Sequence, residues 1–232
     1  MQDWLDIARG PLFAFCFLVM ILGLARHVLL QVHMLAVKKG RRLRLVTWDR
    51  VFKDSVGWAL PVRHLIPGTI VFSSASFLFH IGGILVPVFL AEHVVLWESF
   101  LGVGLPSLGP RLSDGLTIVA IFGIAALFVL RLSLTRLRAM SGPGDHLLLV
   151  LVLLPFLSGF LASHSAWNPL PWEWMMLVHI LSAEGLMLCV PFTKLSHIVL
   201  YPFNRVSVIH WQLRPGAGDR VAEAVFGKEV RI

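Results

Sequence analysis

The sequence predicts an all-α membrane protein built as a bundle of five transmembrane helices. Three observations support this fold class: the composition, the length of the apolar runs and the placement of the charges. Of the 232 residues, 57% are hydrophobic and only 14% are charged, and the mean hydropathy is +0.80. Because soluble domains carry about 25% charged residues, the chain is not an ordinary soluble protein.

Five apolar runs have roughly the 20-residue length that crosses a hydrocarbon core of about 30 Å. The predicted spans are Pro11–Leu30, Ile70–Trp97, Leu116–Leu134, Leu147–Ala162 and Trp174–Leu200. They define one transmembrane domain over residues 1–204, which includes a basic loop at 31–68, and residues 205–232 form a C-terminal tail. No basic segment precedes the first run and no cleavage motif interrupts it, so a retained helix is expected rather than a signal peptide.

The connections between the runs have the composition of loops. SFLGVGLPSLGPRLSDG and HSAWNPLPWEW are predicted outer loops, and RAMSGPGD is a predicted cytoplasmic turn, because glycine and proline punctuate helices. In the basic loop, apolar residues are interleaved with charged ones. This pattern is typical either of a helix lying in the membrane interface or of a docking surface for a partner subunit.

The positive charges are segregated along the chain. Of the 20 Lys and Arg residues, eight lie between Lys38 and Arg63, three between Arg131 and Arg138 and six from Lys194 onward, and the others are Arg9, Arg26 and Arg111. Because cytoplasmic loops carry an excess of Lys and Arg, this pattern places the N-terminus outside and the C-terminus in the cytoplasm. The net charge of +7 therefore indicates membrane topology and contact with anionic lipid, not binding of nucleic acid.

Both cysteines, Cys16 and Cys189, lie inside apolar runs. Their positions exclude a c-type haem attachment motif, and their number excludes a four-cysteine iron–sulfur site within this chain. An electron carrier in this bundle would have to be held by other residues.

Two histidines of the fifth span point to such a carrier. His179 and His197 are 18 residues apart, so in a continuous helix they share a face and lie about 27 Å apart along the axis. Ionisable residues inside a membrane usually face the bundle interior and mark function. Neutral imidazoles at two depths are typical ligands of two stacked b-type haems.

The second span supplies the opposing ligands, His80 and His93. It runs in the opposite direction to the fifth span, which pairs His80 with His197 on the cytoplasmic side and His93 with His179 on the outer side. Their spacing of 13 residues would point them more than roughly 100° apart in an ideal helix. A kink or bulge near Gly82–Gly83 and Pro87 would have to reset the phase.

Other readings of the histidines stay open. His146 and His164 of the fourth span are also 18 residues apart, although both fall near predicted helix ends, where water satisfies an imidazole. Mixed sets that include His64 form a further alternative. In a purely structural reading, the histidines only link helices by hydrogen bonds.

Four further residues are candidates around the predicted haems. Glu184 in the fifth span and Glu92 beside His93 could exchange protons with a quinone, while a protonated Glu184 linking two helices, or an interface-facing Glu92, is the alternative. Arg26 and Arg111 are candidate partners of the haem propionates, because arginine suits bidentate carboxylate contacts.

Several stretches resemble the gamma (cytochrome b) subunit of respiratory nitrate reductase. VPFTKLSHIVLYP is similar to the end of that family's last helix, LFHIGG around His80 to its second-helix ligand motif, and RLRAMSGPGDHLLL to its turn between helices three and four. Arg26 in GLARH falls where the family has an arginine. The resemblance covers roughly Pro11–Pro202 and implies five spans, two b haems with the pairing given above, and electron exchange with menaquinone or ubiquinone.

Other features resemble a related branch more closely. The wider spacing of the second-span histidines, the longer basic loop and the short last outer loop are similar to the b-type membrane subunits of redox complexes in sulfate-reducing and sulfur-metabolising bacteria. This resemblance implies an electron-transfer subunit of an oxidoreductase complex in the bacterial cytoplasmic (inner) membrane. It also implies a cytoplasmic iron–sulfur partner of heterodisulfide-reductase type, and in some complexes a periplasmic multihaem cytochrome c.

Three alternatives to this function remain. The chain could be a nitrate reductase gamma subunit proper, a haem-free membrane anchor for catalytic subunits, or a transporter that uses intramembrane histidine and glutamate as a proton relay.

Overall fold

A computed structural model describes residues 2–39, 52–53 and 70–212, with the backbone alone at 35, 38–39 and 205–212. Within these ranges every regular element is helical. The α-helices are α1 (Gln2–Ile7), α2 (Phe13–Lys39), α3 (Ile70–Phe89), α4 (Ala91–Leu101), α5 (Pro110–Ser133), α6 (Thr135–Ala139), α7 (Pro143–Ser163), α8 (Trp172–Cys189) and α9 (His197–Gln212). A π-helical segment, Ala8–Leu12, joins α1 to α2, and two 3-10 segments, Val190–Phe192 and Lys194–Ser196, precede α9.

Five of the helical stretches are long and apolar enough to cross a membrane, which confirms the predicted number of spans. They are Gln2–Met34, Ile70–Phe89, Pro110–Ser133, Pro143–Ser163 and Trp172–Phe192. Large apolar side chains such as Phe15, Phe122 and Leu147 stay exposed on them, as lipid-facing residues do. The protein is therefore a multi-pass membrane protein.

Several helix bounds differ from those of the predicted spans. Helix α5 begins at Pro110 rather than at Leu116, because proline fits the first turn, where its missing N–H is not needed. Helix α2 continues to Lys39, into the predicted basic loop, because no helix breaker follows Leu30. The rest of that loop, apart from residues 52–53, lies outside the described residues.

The chain divides into two compact units. The first comprises Met1–Phe17 and Pro61–Met187, and the second comprises Leu18–Leu60 and Leu188–Ile232. The predicted boundary between domain and tail, at residues 204 and 205, falls inside α9.

Within the first unit, α5 packs against α3 and α7. Small residues allow the close approach of α3 and α5. A Cβ atom on Gly82 would collide with the Leu116 carbonyl, and one on Gly123 would lie 2.9 Å from the Phe79 Cβ and 3.0 Å from the Ala75 oxygen. Small residues at such contacts are the common way to pack membrane helices, because lipid gives no hydrophobic force between them.

Helix α3 stops at Phe89, and Leu90 is extended (φ −61°, ψ 137°) before α4 begins at Ala91. Pro87 lies one turn earlier and cannot donate a hydrogen bond to the preceding turn. The break frees two carbonyl groups, which find other donors: the Trp97 indole nitrogen lies 3.2 Å from the Pro87 oxygen, and the Leu108 amide lies 2.8 Å from the Phe89 oxygen. The predicted single span Ile70–Trp97 is therefore two helices.

The predicted continuous helix Trp174–Leu200 is also wrong. Helix α8 ends at Cys189, and Thr193 is extended (φ −126°, ψ −176°) between the two 3-10 segments. Pro191 lacks the N–H that would continue the helix, and the Thr193 hydroxyl donates to the Cys189 oxygen at 2.8 Å. His179 and His197 therefore do not lie on one unbroken helix, which the five-turn spacing required.

The second unit contains a close contact at this break. The His27 Nε2 atom donates to the Pro191 oxygen at 2.7 Å. The Pro191 ring occupies the space where a Cβ atom of Gly23 would lie. The proline that interrupts the last span is thus packed against α2 rather than exposed to lipid.

Candidate cofactor site

Two of the predicted ligands, His93 and His179, face each other inside the first unit. Their ring centroids are 6.1 Å apart, and their ring planes differ by 2°. His93 lies on α4, two residues after that helix begins, and His179 lies on α8. The structure therefore brings together the two histidines that antiparallel spans were expected to pair, and the break at Leu90 supplies the interruption that the 13-residue spacing required.

The His179 ring is held by a neighbouring helix. Its Nδ1 atom lies 2.8 Å from the backbone oxygen of Pro155 on α7. A carbonyl oxygen can only accept a hydrogen bond, so Nδ1 carries the proton in the neutral ring and Nε2 keeps the basic lone pair. This is the arrangement by which proteins orient metal-binding histidines.

His93 has a different environment. Its Nδ1 atom is buried and has no hydrogen-bond partner among the described residues. The carbonyl groups of Val86 and Pro87, next to the helix break, lie close to the ring, but neither meets Nδ1 with hydrogen-bonding geometry. The Nδ1 position is therefore the unsatisfied side of the pair.

The separation of the His93 and His179 rings can be compared with that of two imidazoles bound to one metal ion. Imidazole nitrogen binds a metal ion at about 2 Å, so the centroids of two opposed rings lie on the order of 6 Å apart. The observed centroid separation of 6.1 Å is of this size. No group of three or more metal-binding side chains occurs among the described residues.

The other two predicted ligands show the same tautomer as His179. The Nδ1 atom of His80 lies 2.6 Å from the Ser76 oxygen, and that of His197 lies 2.8 Å from the Lys194 oxygen. Nε2 is then the basic nitrogen of each neutral ring. His80 belongs to the first unit and His197 to the second, so their pairing stays a prediction.

The rival histidines occupy other surroundings. The Nδ1 atom of His164 lies 2.8 Å from the Phe160 oxygen, and its Nε2 atom lies 3.6 Å from a carboxylate oxygen of Asp114, which is longer than a hydrogen bond. His146 places its ring against Phe128, with centroids 5.7 Å apart, and its Nδ1 atom is buried without a partner among the described residues. His64 lies outside the described residues.

The two candidate carboxyl groups differ sharply in burial. Glu184 on α8 is only 3% exposed, and neither of its oxygens has a hydrogen-bond partner in the described part of the chain. Its titratable neighbour is the Cys16 thiol, which is itself buried. Glu92, in contrast, is exposed. The hydrogen bond between helices that was the alternative for Glu184 is not formed within the described residues.

The predicted propionate partners are both exposed, Arg26 on α2 and Arg111 at the start of α5. Arg131 at the end of α5 is more constrained. Its Nη1 donates to the Ser141 hydroxyl at 2.9 Å, and its guanidinium carbon lies 5.8 Å from the centre of the Phe72 ring. The roles of Arg26 and Arg111 stay predictions.

Two residues of the site were missed in the sequence reading: Pro155, whose carbonyl holds His179, and Gly159, which lies against the same ring. Both come from the fourth span, for which the sequence predicts a role only for the histidines. Their signal is PFLSG, a proline and a glycine one helical turn apart in an otherwise large-residue run.

The fold and the paired histidines thus define a multi-pass helical membrane protein with a candidate metal-binding pair. The chain is similar to a protein of Nitratidesulfovibrio vulgaris (strain Hildenborough) whose name is simply "Protein": 41% of the residues are identical over 134 residues. The match covers 58% of this chain and 58% of that relative, so the chain spans less than two thirds of the relative's length. No family model matches the chain, and no solved structure matches it.

Proposed function

We propose that the chain is a dihaem cytochrome b subunit of a respiratory redox complex. One observation carries the proposal: two imidazoles from different helices face each other with near-parallel planes at 6.1 Å, in a bundle whose composition is that of a membrane interior. In such a position each polar ring is costly unless it serves a ligand or a hydrogen bond. Haem b would supply one-electron redox chemistry.

The chain's own residues would bind and orient this group. His93 and His179 would hold the haem iron, and the Pro155 carbonyl accepts the Nδ1–H bond of His179, which leaves Nε2 as the basic nitrogen of the ring. The apolar helices exclude water, which strengthens every electrostatic interaction inside the site. The second haem would be held by His80 and His197, whose tautomers, with Nδ1 bonded to a backbone carbonyl, support the same role.

The complex around this subunit is inferred from the sequence resemblance. The N-terminus lies outside and the C-terminus in the cytoplasm of a bacterial inner membrane. Electrons pass between a menaquinone or ubiquinone pool, near the outer haem, and a cytoplasmic iron–sulfur subunit of heterodisulfide-reductase type, with a periplasmic multihaem cytochrome c in some complexes. The proteins that copurify with the chain distinguish the two families. A molybdenum nitrate reductase among them would indicate a nitrate reductase gamma subunit instead.

Glu184 is the better candidate for the proton that accompanies quinone chemistry. It is 3% exposed with both oxygens unpartnered in the described residues, whereas Glu92 is exposed. A buried carboxyl group without a structural partner is a functional candidate by default. Replacing Glu184→Gln should leave the haem content unchanged and slow haem reduction by a quinol analogue, while Glu92→Gln should slow it less.

Optical spectroscopy of the purified chain tests the proposal directly. The dithionite-reduced minus oxidised spectrum should show a b-type band, and the pyridine haemochrome assay should give two haems per chain. His93→Ala should remove the outer haem, and His80→Ala should remove the inner one.

Colourless protein from haem-replete cells would refute the proposal and leave the haem-free anchor. Proton flux into vesicles with no haem present would instead favour the proton-relay transporter, which Glu184 supports as a second candidate.

A further inference from the structure

Gly159 on α7 leaves a space that the His179 ring fills. A Cβ atom built on Gly159 would lie 2.8 Å from Cε1 and 2.9 Å from Nδ1 of His179. Cβ atoms do not approach other heavy atoms so closely, so one of the two would have to move. The ring has little freedom to do so while Nδ1 is bonded to the Pro155 oxygen at 2.8 Å.

This use of glycine differs from that at Gly82 and Gly123, where α3 packs against α5; Gly83 also faces a ring, but that ring is the apolar Phe79 of its own helix. The space next to Gly82 is taken by the Leu116 backbone and Ala120, and that next to Gly123 by Phe79 and the Ala75 backbone. These glycines allow two helices to approach. At Gly159 the nearest atoms are all ring atoms of one histidine, so the glycine admits a side chain with metal-binding chemistry.

We infer that Gly159 is a positioning residue for His179: together with the Pro155 carbonyl it forms a seat that fixes the tautomer and direction of the ring. The seat is defined by residues 155 and 159, one turn apart on α7. The carbonyl selects the tautomer with a basic Nε2, and the missing Cβ lets the ring lie close enough to reach that carbonyl. Its consequence for cofactor binding rests on the proposed function, but the seat itself does not.

A double-mutant cycle tests the seat without any cofactor. The full chain is produced in haem-depleted cells, placed in lipid nanodiscs and unfolded thermally as Gly159→Ala, His179→Ala and the double variant. Gly159→Ala should lower the Tm by roughly 2–10 °C, because overpacking strains the site. In the His179→Ala background the same change should cost nothing or raise the Tm, because alanine is the better helix former.

Gly185→Ala is the matched control. Gly185 also lies within a transmembrane helix, and a Cβ built on it meets nothing within 4 Å. An equal Tm loss from Gly159→Ala in both backgrounds, or no loss in the wild type, would overturn the seat. If Gly159→Ala fails to fold while the double variant folds, the ring is the cause and the seat is supported.

Two further readouts separate a positioning role from a merely structural one. In ¹⁵N-histidine spectra of the haem-free chain, His179 should be the Nδ1–H tautomer in the wild type and in Gly185→Ala, and a mixture in Gly159→Ala. In haem-replete protein, Gly159→Ala should weaken the outer haem by roughly 10–100-fold, as loss of ligand support does, and should retain the inner haem.

The outcomes distinguish the seat from the function. The wild-type chain could lack haem while the double-mutant cycle still shows that the Tm loss of Gly159→Ala depends on the His179 ring. That result would refute the proposed function and support the seat. A wild-type chain with two haems, an unchanged Gly159→Ala haem affinity and no coupling in the cycle would refute the seat alone.

Discussion

His179 and His164 are alike in one respect and opposite in another. Each bonds its Nδ1 atom to a backbone oxygen of α7 at 2.8 Å, His179 to Pro155 and His164 to Phe160. They differ at the other side of the ring. His179 faces the parallel ring of His93, whereas the Nε2 atom of His164 lies 3.6 Å from Asp114 and its ring lies against Phe160 and Trp167.

The difference shows what separates a ligand candidate from a structural histidine in this bundle. The spacing of 18 residues is the same for His146 and His164 as for His179 and His197, so spacing cannot decide between them. The bond of Nδ1 to a carbonyl does not decide it either, because both rings have one. The neighbour of each ring distinguishes them: His179 has a second imidazole whose ring centre lies 6.1 Å away, and His164 has a carboxylate oxygen 3.6 Å from Nε2.

The largest effect is expected from replacing His179 and His164 with alanine in separate variants. His179→Ala should reduce the haem content from two per chain to one, because a single axial imidazole does not hold a b-type haem firmly in a bis-histidine site. His164→Ala should leave two. The pyridine haemochrome assay on purified protein, normalised to polypeptide, measures both.

The inner haem serves as the folding control in this experiment. A His179→Ala chain that retains the inner haem has folded. The absence of the outer haem would then be a local effect of the missing imidazole. If His164→Ala removed a haem and His179→Ala did not, the rival ligand set would be correct and the comparison would be reversed.

A smaller effect is expected from replacing one tryptophan on each side of the comparison: Trp97, on the same helix as His93, and Trp167, whose ring lies against His164. Trp97→Phe removes the indole N–H that lies 3.2 Å from the Pro87 oxygen but keeps an aromatic ring against Phe13 and Phe17. The hydrogen bond between Trp97 and Pro87 holds α4, the helix of His93, against the end of α3. Without it, the free energy of unfolding should fall by about 0.5–1.5 kcal/mol. The outer haem should bind up to roughly tenfold more weakly. Haem titration and thermal unfolding report the two effects.

Trp167→Phe is the matched change on the side of His164. It keeps an aromatic ring near His164 and should leave the haem affinity unchanged. Equal losses of haem affinity in both variants would mean that the break at Leu90 has no special role in placing His93.

The sequence was sufficient for the number of spans and for the juxtaposition of His93 with His179. Both follow from quantities that do not depend on local geometry: about 20 apolar residues cross a bilayer, and antiparallel helices match residues by depth. The matching by depth still holds after the second span is divided into α3 and α4, because a break changes the direction in which later side chains point more than it changes their depth.

The local geometry could not be predicted in the same way. Pro87 and Pro191 indicated bends, but the chain departs from the helix three residues after Pro87, at Leu90, and through two 3-10 turns around Pro191. Where the chain leaves the helix depends on which hydrogen-bond donors the folded chain offers to the freed carbonyls, such as the Trp97 indole and the Thr193 hydroxyl. The Gly159 contact with His179 was likewise hidden, because glycine is frequent in membrane helices and its neighbour is set by the packing of α7 on α8.

The smallest effect is expected from Asp114→Asn, which tests the carboxylate side of the comparison. The His164 and Asp114 side chains are 30% and 46% exposed, and an exposed ion pair contributes about 0–1 kcal/mol, so the Tm should fall by no more than roughly 4 °C. The change weakens the contact at Nε2 of His164 but provides no opposing imidazole, and Phe160 still lies 4.1 Å from the ring. The haem content should therefore stay at two per chain in the pyridine haemochrome assay. A third haem in Asp114→Asn would show that the carboxylate alone had kept His164 from binding one, whereas loss of a haem would show that His164 already serves as a ligand.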